Sequence, residues 1–103
     1  GLTKKMKKIK IAFDVDGCLI KRELHLDMQN YRVINLLKLL SQLKNVEIIV
    51  WSGGGKEYAE YWGRQLEINP YVKEYASKLQ PISPDITIDD SPQMRLVKIN
   101  LTS

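Results

Sequence analysis

Two apolar runs in this chain end in paired acids. "KIKIAFDVDG" brings Asp14 and Asp16 to the close of a strand-like segment, and "DITIDD" closes on Asp89 and Asp90. Strands buried on both faces of a parallel sheet read as near-continuous hydrophobic runs, and an unpaired carboxylate inside such a run is costly. The acids must therefore sit where the strands emerge from the core.

The segments between these runs alternate in period. Residues 8–15 predict a first strand, with Ile9, Ile11, Phe13 and Val15 on one face and Ala12 on the other. Residues 17–27 read as a loop or small turn structure. From Met28 to Leu43 the spacing is helical, through Tyr31, Ile34 and Leu37 and through Val33, Leu36, Leu40 and Leu43, with Asp27 as the expected N-cap. A second strand runs from Val46 to Trp51 and ends in Ser52 and three glycines. "KEYAEYWGRQLEI" follows as a helix with Tyr58, Ala59, Trp62 and Leu66 on one side. Residues 71–76 fit either a short strand or a helical turn. Pro81 and Pro84 bracket a loop, Asp85 caps the entry to the strand that ends in Asp90, and "RLVKINL" supplies a last short strand.

Strand and helix in alternation predict an α/β domain with a mainly parallel sheet, of the Rossmann-like three-layer kind, formed by residues 8–103 as one unit of the 103-residue chain. A hydrophobic content of 44% and a charged content of 27% argue against disorder, and no apolar run is long enough for a membrane span. Cys18 is the single cysteine, so no internal disulfide can form, and a reducing, cytoplasmic setting is expected. Residues 1–7 are a basic arm, read as a solvated end leading into the first strand. Met6 within it is a candidate natural start. Lys4, Lys5, Lys7, Lys8 and Lys10 account for the formal net charge of +4; without them the chain is close to neutral.

Ligands of parallel sheets gather at the carboxyl ends of the strands. Asp14 and Asp16, Ser52 with its glycines, and Asp89 with Asp90 all fall there. Several carboxylates in one place raise one another's pKa, a conflict that a hard divalent cation removes, and magnesium suits a few carboxylates with phosphate oxygens. Ser52, Gly53 and Gly54 offer a hydroxyl and unhindered backbone N–H groups at a helix N-terminus, which is an anion cradle. Cation and cradle together point to phosphate. The alternation of side chains along a strand puts Asp14 and Asp16, two residues apart, on the same side.

These residues resemble the signatures of the haloacid dehalogenase-like superfamily. "DVDGCL" is similar to its first motif, "IIVWSG" to its second, Lys78 to the lysine of its third and "ITIDD" to its fourth, in the family's order across residues 9–90. The resemblance implies a magnesium-dependent phosphatase that hydrolyses a phosphomonoester through an aspartyl-phosphate. It makes Asp14 the nucleophile and Asp16 the general acid and then base, whose backbone carbonyl also helps to hold magnesium. Ser52 and Lys78 become phosphoryl-binding groups, and Asp90, with Asp89 beside it, completes the metal site. Lys56 competes with Lys78 for phosphate, and His25 lies where relatives carry a flap.

Two departures stand out. Cys18 replaces the usual threonine, exchanging a hydroxyl for a weaker hydrogen-bonding thiol. The segments after Asp16 and after Ser52 are too short for a cap domain. An open site implies a large phosphorylated substrate, nucleic acid among them given the basic arm, or a second subunit of a homo-oligomer covering the site; no membrane partner is expected. Trp51, Tyr58, Tyr61 and Trp62 read as core and helix-face residues. The rival reading is a non-catalytic phospholigand- or metal-binding module. A receiver-like domain is disfavoured because its acceptor aspartate ends a later strand.

Overall fold

The computed structural model describes residues 7–89 and 95–99. The first strand, β1 (Ile9–Asp14), forms because alternate residues meet two different apolar environments. Ile11 and Phe13 enter one cluster and Ala12 another. It pairs in parallel with β4 (Val46–Ser52) on one side and with β6 (Ile86–Asp89) on the other. Outside β4 lies β5 (Glu74–Ser77), also parallel, which resolves the ambiguous segment near residues 71–76 as a strand. At the far edge β7 (Arg95–Ile99) runs antiparallel to β6. The result is an α/β domain with a five-stranded sheet of order β5-β4-β1-β6-β7, four of whose strands are parallel.

Two helices connect these strands. Helix α1 (Tyr31–Ser41) buries Val33, Ile34 and Leu37, and α2 (Lys56–Gln65) buries Ala59. Both pack on the face formed by Ile11, Phe13, Val15, Ile48, Val50 and Ile88. The steps from β1 to β4 and from β4 to β5 move in one direction across the sheet, so right-handed crossovers place both helices on the same side. In the return crossover between β5 and β6, residues 78–85 form no helix, and Ile82 packs on Ala12, Ile49, Ala76 and Trp51. Among the described residues both helices lie on one face of the sheet.

Some local expectations change. Residues 20–29 form a hairpin, β2 (Ile20–Glu23) against β3 (Leu26–Gln29), where a loop and the first helical turn were expected. Its two turn residues, Leu24 and His25, both have positive φ, the twist that joins antiparallel strands most tightly. Asp27 lies within β3 and caps nothing; the N-cap of α1 is Asn30. The amide of Asn30 donates to the Cys18 carbonyl at 2.8 Å and so ties α1 to the turn after β1. Tyr31 and Leu43, assigned to the apolar face, are exposed because the helix begins later and ends earlier than its periodicity suggests. Asp85 grips β1 at its start: its carboxylate accepts the Lys10 N–H at 2.8 Å and its own N–H donates to the Lys10 carbonyl.

Helix α2 ends in a Schellman motif. The N–H of Ile68 donates to the Gly63 carbonyl and that of Glu67 to the Arg64 carbonyl, with Glu67 at φ 57°. Gly63 is required for a different reason. A Cβ there would collide with the ring and hydroxyl of Tyr75, which lies across the helix from β5 and hydrogen-bonds Asn69. Among the described residues no helix is long and apolar enough to cross a membrane.

Candidate functional site

The carboxyl ends of β1, β4, β5 and β6 form one edge of the sheet, and the residues singled out by their chemistry lie along it. Asp14 is the last residue of β1 and pairs in register with Trp51 of β4. Asp89 ends β6, one residue beyond the Phe13–Ile88 pair. Lys78 follows β5 directly. Its N–H donates to the Ser52 carbonyl at 3.0 Å, extending the ladder that pairs Ser52 with Ser77. The turn behind it is fixed by the Ser77 N–H on Gln80 Oε1 at 2.7 Å and the Leu79 N–H on Ser77 Oγ at 3.1 Å.

So anchored, the Lys78 side chain reaches across β4 to β1. Its ammonium donates to Asp14 Oδ2 at 2.7 Å and stands 6.0 Å from the centre of the Trp51 ring. Asp14 Oδ1 accepts the Val15 N–H at 3.0 Å. Asp14, Trp51, Lys78, Thr87, Ile88 and Asp89 line a pocket of about 290 Å³. Burial pushes the Asp14 carboxyl above the usual aspartate range; Lys78 opposes that rise and the charge of Asp89 adds to it. A half-buried carboxylate held ready by one ammonium, beside a second acid, is an arrangement suited to nucleophilic or metal-binding chemistry.

Asp16 and Ser52 lie beside this pocket rather than in its lining. The turn that carries Asp16 is tightly made: the Gly17 N–H donates to the Ile20 carbonyl at 2.8 Å, and the Ile20 N–H donates to the Val15 carbonyl at 3.0 Å. Gly17 has φ 77°, a conformation that glycine adopts without steric cost. Ser52 is buried, and its Oγ accepts the Gly54 N–H at 2.9 Å. The Gly55 N–H donates to the Ser52 carbonyl at 3.2 Å. Two of the three glycine amides thus fold back onto Ser52, and the expected cradle reduces to the Ser52 hydroxyl proton and Gly53. Lys56 is the exposed first residue of α2, whereas Lys78 contacts Asp14.

Cys18 is fully buried and its thiol donates to the Ile88 carbonyl at 3.4 Å. It links the turn after β1 to the strand that delivers Asp89. His25 occupies the tip of the β2–β3 hairpin, and Asp90 lies outside the described residues.

Comparison with protein-family models, curated proteins and solved structures found no match to this chain. The site must be read from its own chemistry.

The donor set tests whether magnesium suits it. Asp14 and Asp89 are hard oxygen ligands on neighbouring strands, the kind that magnesium takes together with substrate oxygens and water. Among the described residues no three His, Cys, Asp or Glu side chains gather closely enough to hold an ion by themselves. Two carboxylates alone would leave such an ion most of its coordination to be filled by other oxygens.

One participant was not legible as such. Tyr58, assigned to the helix face from its spacing, packs partly against the core, yet its hydroxyl donates to Asp16 Oδ1 at 2.8 Å. Its place in the first turn of α2, soon after Ser52 and the glycines, was the available signal. An aromatic at core spacing does not announce a polar contact of its tip.

Proposed function

We propose that this protein is a small, capless phosphatase of the haloacid dehalogenase-like kind, with a Rossmann-like core, which hydrolyses a phosphomonoester with magnesium. The observation that carries this reading is the Asp14–Lys78 contact at 2.7 Å in a pocket shared with Asp89. It brings a half-buried carboxylate, an ammonium and a second acid to one sheet edge, which supports this reading.

In this reaction a carboxylate oxygen of Asp14 attacks phosphorus, and the bond from phosphorus to the ester oxygen breaks. Asp16 gives its proton to the leaving oxygen. The resulting carboxylate then takes a proton from water as that water attacks the acyl phosphate, and the bond to Asp14 breaks to release inorganic phosphate. Lys78 screens the charge shared by nucleophile and phosphoryl group, and the Ser52 hydroxyl donates to a phosphoryl oxygen. Asp14, Asp89 and the Asp16 backbone carbonyl, with Asp90, would hold magnesium, which when bound neutralises phosphoryl charge.

The connections that frame the site are short. The hairpin spans residues 20–29 and only residues 53–55 separate β4 from α2. An open site of this kind suits a phosphate on a macromolecule, including nucleic acid, or one covered by a second copy of the chain. The test is release of phosphate from a broad panel of phosphomonoesters with and without magnesium, in the natural sequence and in Asp14→Asn. Release that needs both magnesium and Asp14 supports the reading. Phospholigand binding without turnover would instead favour the binding-module alternative.

A further inference from the structure

We propose that Tyr58 is a positioning residue for Asp16, holding its carboxylate by Oδ1 so that Oδ2 is the oxygen that exchanges a proton. This rests on the reading of Asp16 as the proton-transfer acid. The reasoning begins with exposure. Asp16 is exposed, and its backbone is fixed by the turn around Gly17, but a short exposed side chain is free to choose among staggered rotamers. Proton transfer requires it to stay within hydrogen-bond reach of the leaving oxygen. The 2.8 Å contact from Tyr58 selects one rotamer.

Tyr58 is itself held rigidly. It sits in the first turn of α2, its ring packs against the core cluster, and Gly54 lies under it so closely that a Cβ there would come within 3.3 Å of the ring. Gly54 in turn is tied to Ser52 Oγ. The proposed phosphoryl-binding serine and the proposed proton-transfer acid are thereby joined through one glycine and one tyrosine. Burial, and then the Asp16 contact, push the phenol above its ordinary pKa, so Tyr58 stays a neutral donor at neutral pH. The charged groups around this pair are Asp27 on β3, which acts on the phenol, and Lys56 and Glu57 beside it on α2. Asp14, Lys78 and Asp89 lie along the adjoining edge.

The experiment reads the Asp16 χ1 rotamer from side-chain three-bond NMR couplings in the full chain and in Tyr58→Phe, which keeps the ring and loses only the donor, with Tyr61→Phe as control. One dominant rotamer is expected in the natural sequence and in Tyr61→Phe, and an average over staggered rotamers in Tyr58→Phe. Unchanged Asp16 couplings in Tyr58→Phe overturn the proposal. With a phosphomonoester that the protein hydrolyses, Tyr58→Phe is expected to lower kcat about tenfold with little change in KM. An unaltered kcat would also overturn it. Absence of phosphate release from the natural sequence would refute the phosphatase reading, while the couplings would still decide whether Tyr58 holds Asp16.

Discussion

The ammonium of Lys78 lies 2.7 Å from Oδ2 of Asp14, although 64 residues separate the two in the chain. The contact exists because Lys78 continues β5 past Ser77, where the backbone is pinned to Ser52, and because β4 spaces β5 from β1 by one strand. Asp14 is largely shielded from solvent and Lys78 is not, so the pair serves the carboxylate more than the cation.

Replacing Lys78 with methionine is expected to leave Asp14 without its cation. Magnesium-dependent phosphate release should fall by about a hundredfold or more, the loss typical of removing a group that stabilises transition-state charge. At neutral pH the fold should also lose about 1–3 kcal/mol, since a shielded carboxylate is left unpaired. Phosphate assays and urea unfolding measure the two effects separately; undiminished release would remove Lys78 from the site.

Asp14→Asn is expected to abolish phosphate release and yet raise the melting temperature at pH 7. Burial raises the folded-state pKa of Asp14, so the folded form keeps its proton to higher pH than the unfolded form does. The stability associated with protonated Asp14 is complete below the unfolded pKa of about 3.9 and is lost as pH rises through the raised folded value. The variant, which cannot ionise there, should be the more stable by a few degrees at pH 7, and the gap should close below about pH 4. A gap of the same size at pH 3 and pH 7 would contradict this account.

Gly63→Ala should destabilise the fold by about 1–3 kcal/mol, because the new methyl group meets the Tyr75 ring. Helix propensity alone predicts the opposite sign, a gain of nearly 1 kcal/mol. Combining it with Tyr75→Leu should recover much of the loss, and a double-mutant cycle would report that coupling.

Glu67→Gly should stabilise by about 0.5–1 kcal/mol, since Glu67 occupies the left-handed position of the Schellman motif at φ 57°. Thermal unfolding reads this directly, and a lower melting temperature would argue against the motif.

The Cys18 thiol should resist thiol reagents in the native protein and react only on unfolding, as it is fully buried and hydrogen-bonded to Ile88. Rapid labelling under native conditions would rule out its role as a brace between the β1 turn and β6.

Much of the fold was legible in residue patterns because burial imposes periodicity. The alternation through Ile11 and Phe13 and the run from Val46 to Trp51 marked the two central strands, and Ala59, Trp62 and Leu66 marked the face of α2. The hairpin at residues 20–29 was not legible. Half of β2 and all of β3 are exposed, and strands with so little buried surface carry no alternation to read. The helix cap was misplaced for a related reason, since Asp27 and Asn30 are both good N-caps and only the hairpin's register assigns Asp27 to a strand.

The candidate site divides in the same way. By itself the chain placed Asp14, Ser52 and Asp89 at the carboxyl ends of their strands, because a strand stops where its apolar residues stop. Tertiary structure alone decided that Lys78 rather than Lys56 meets Asp14, that Gly54 and Gly55 turn their amides onto Ser52, and that Tyr58 holds Asp16. Each of these contacts joins segments whose separation and direction are set by strand order and crossover hand, and the reach of a side chain across a sheet leaves no mark on local sequence.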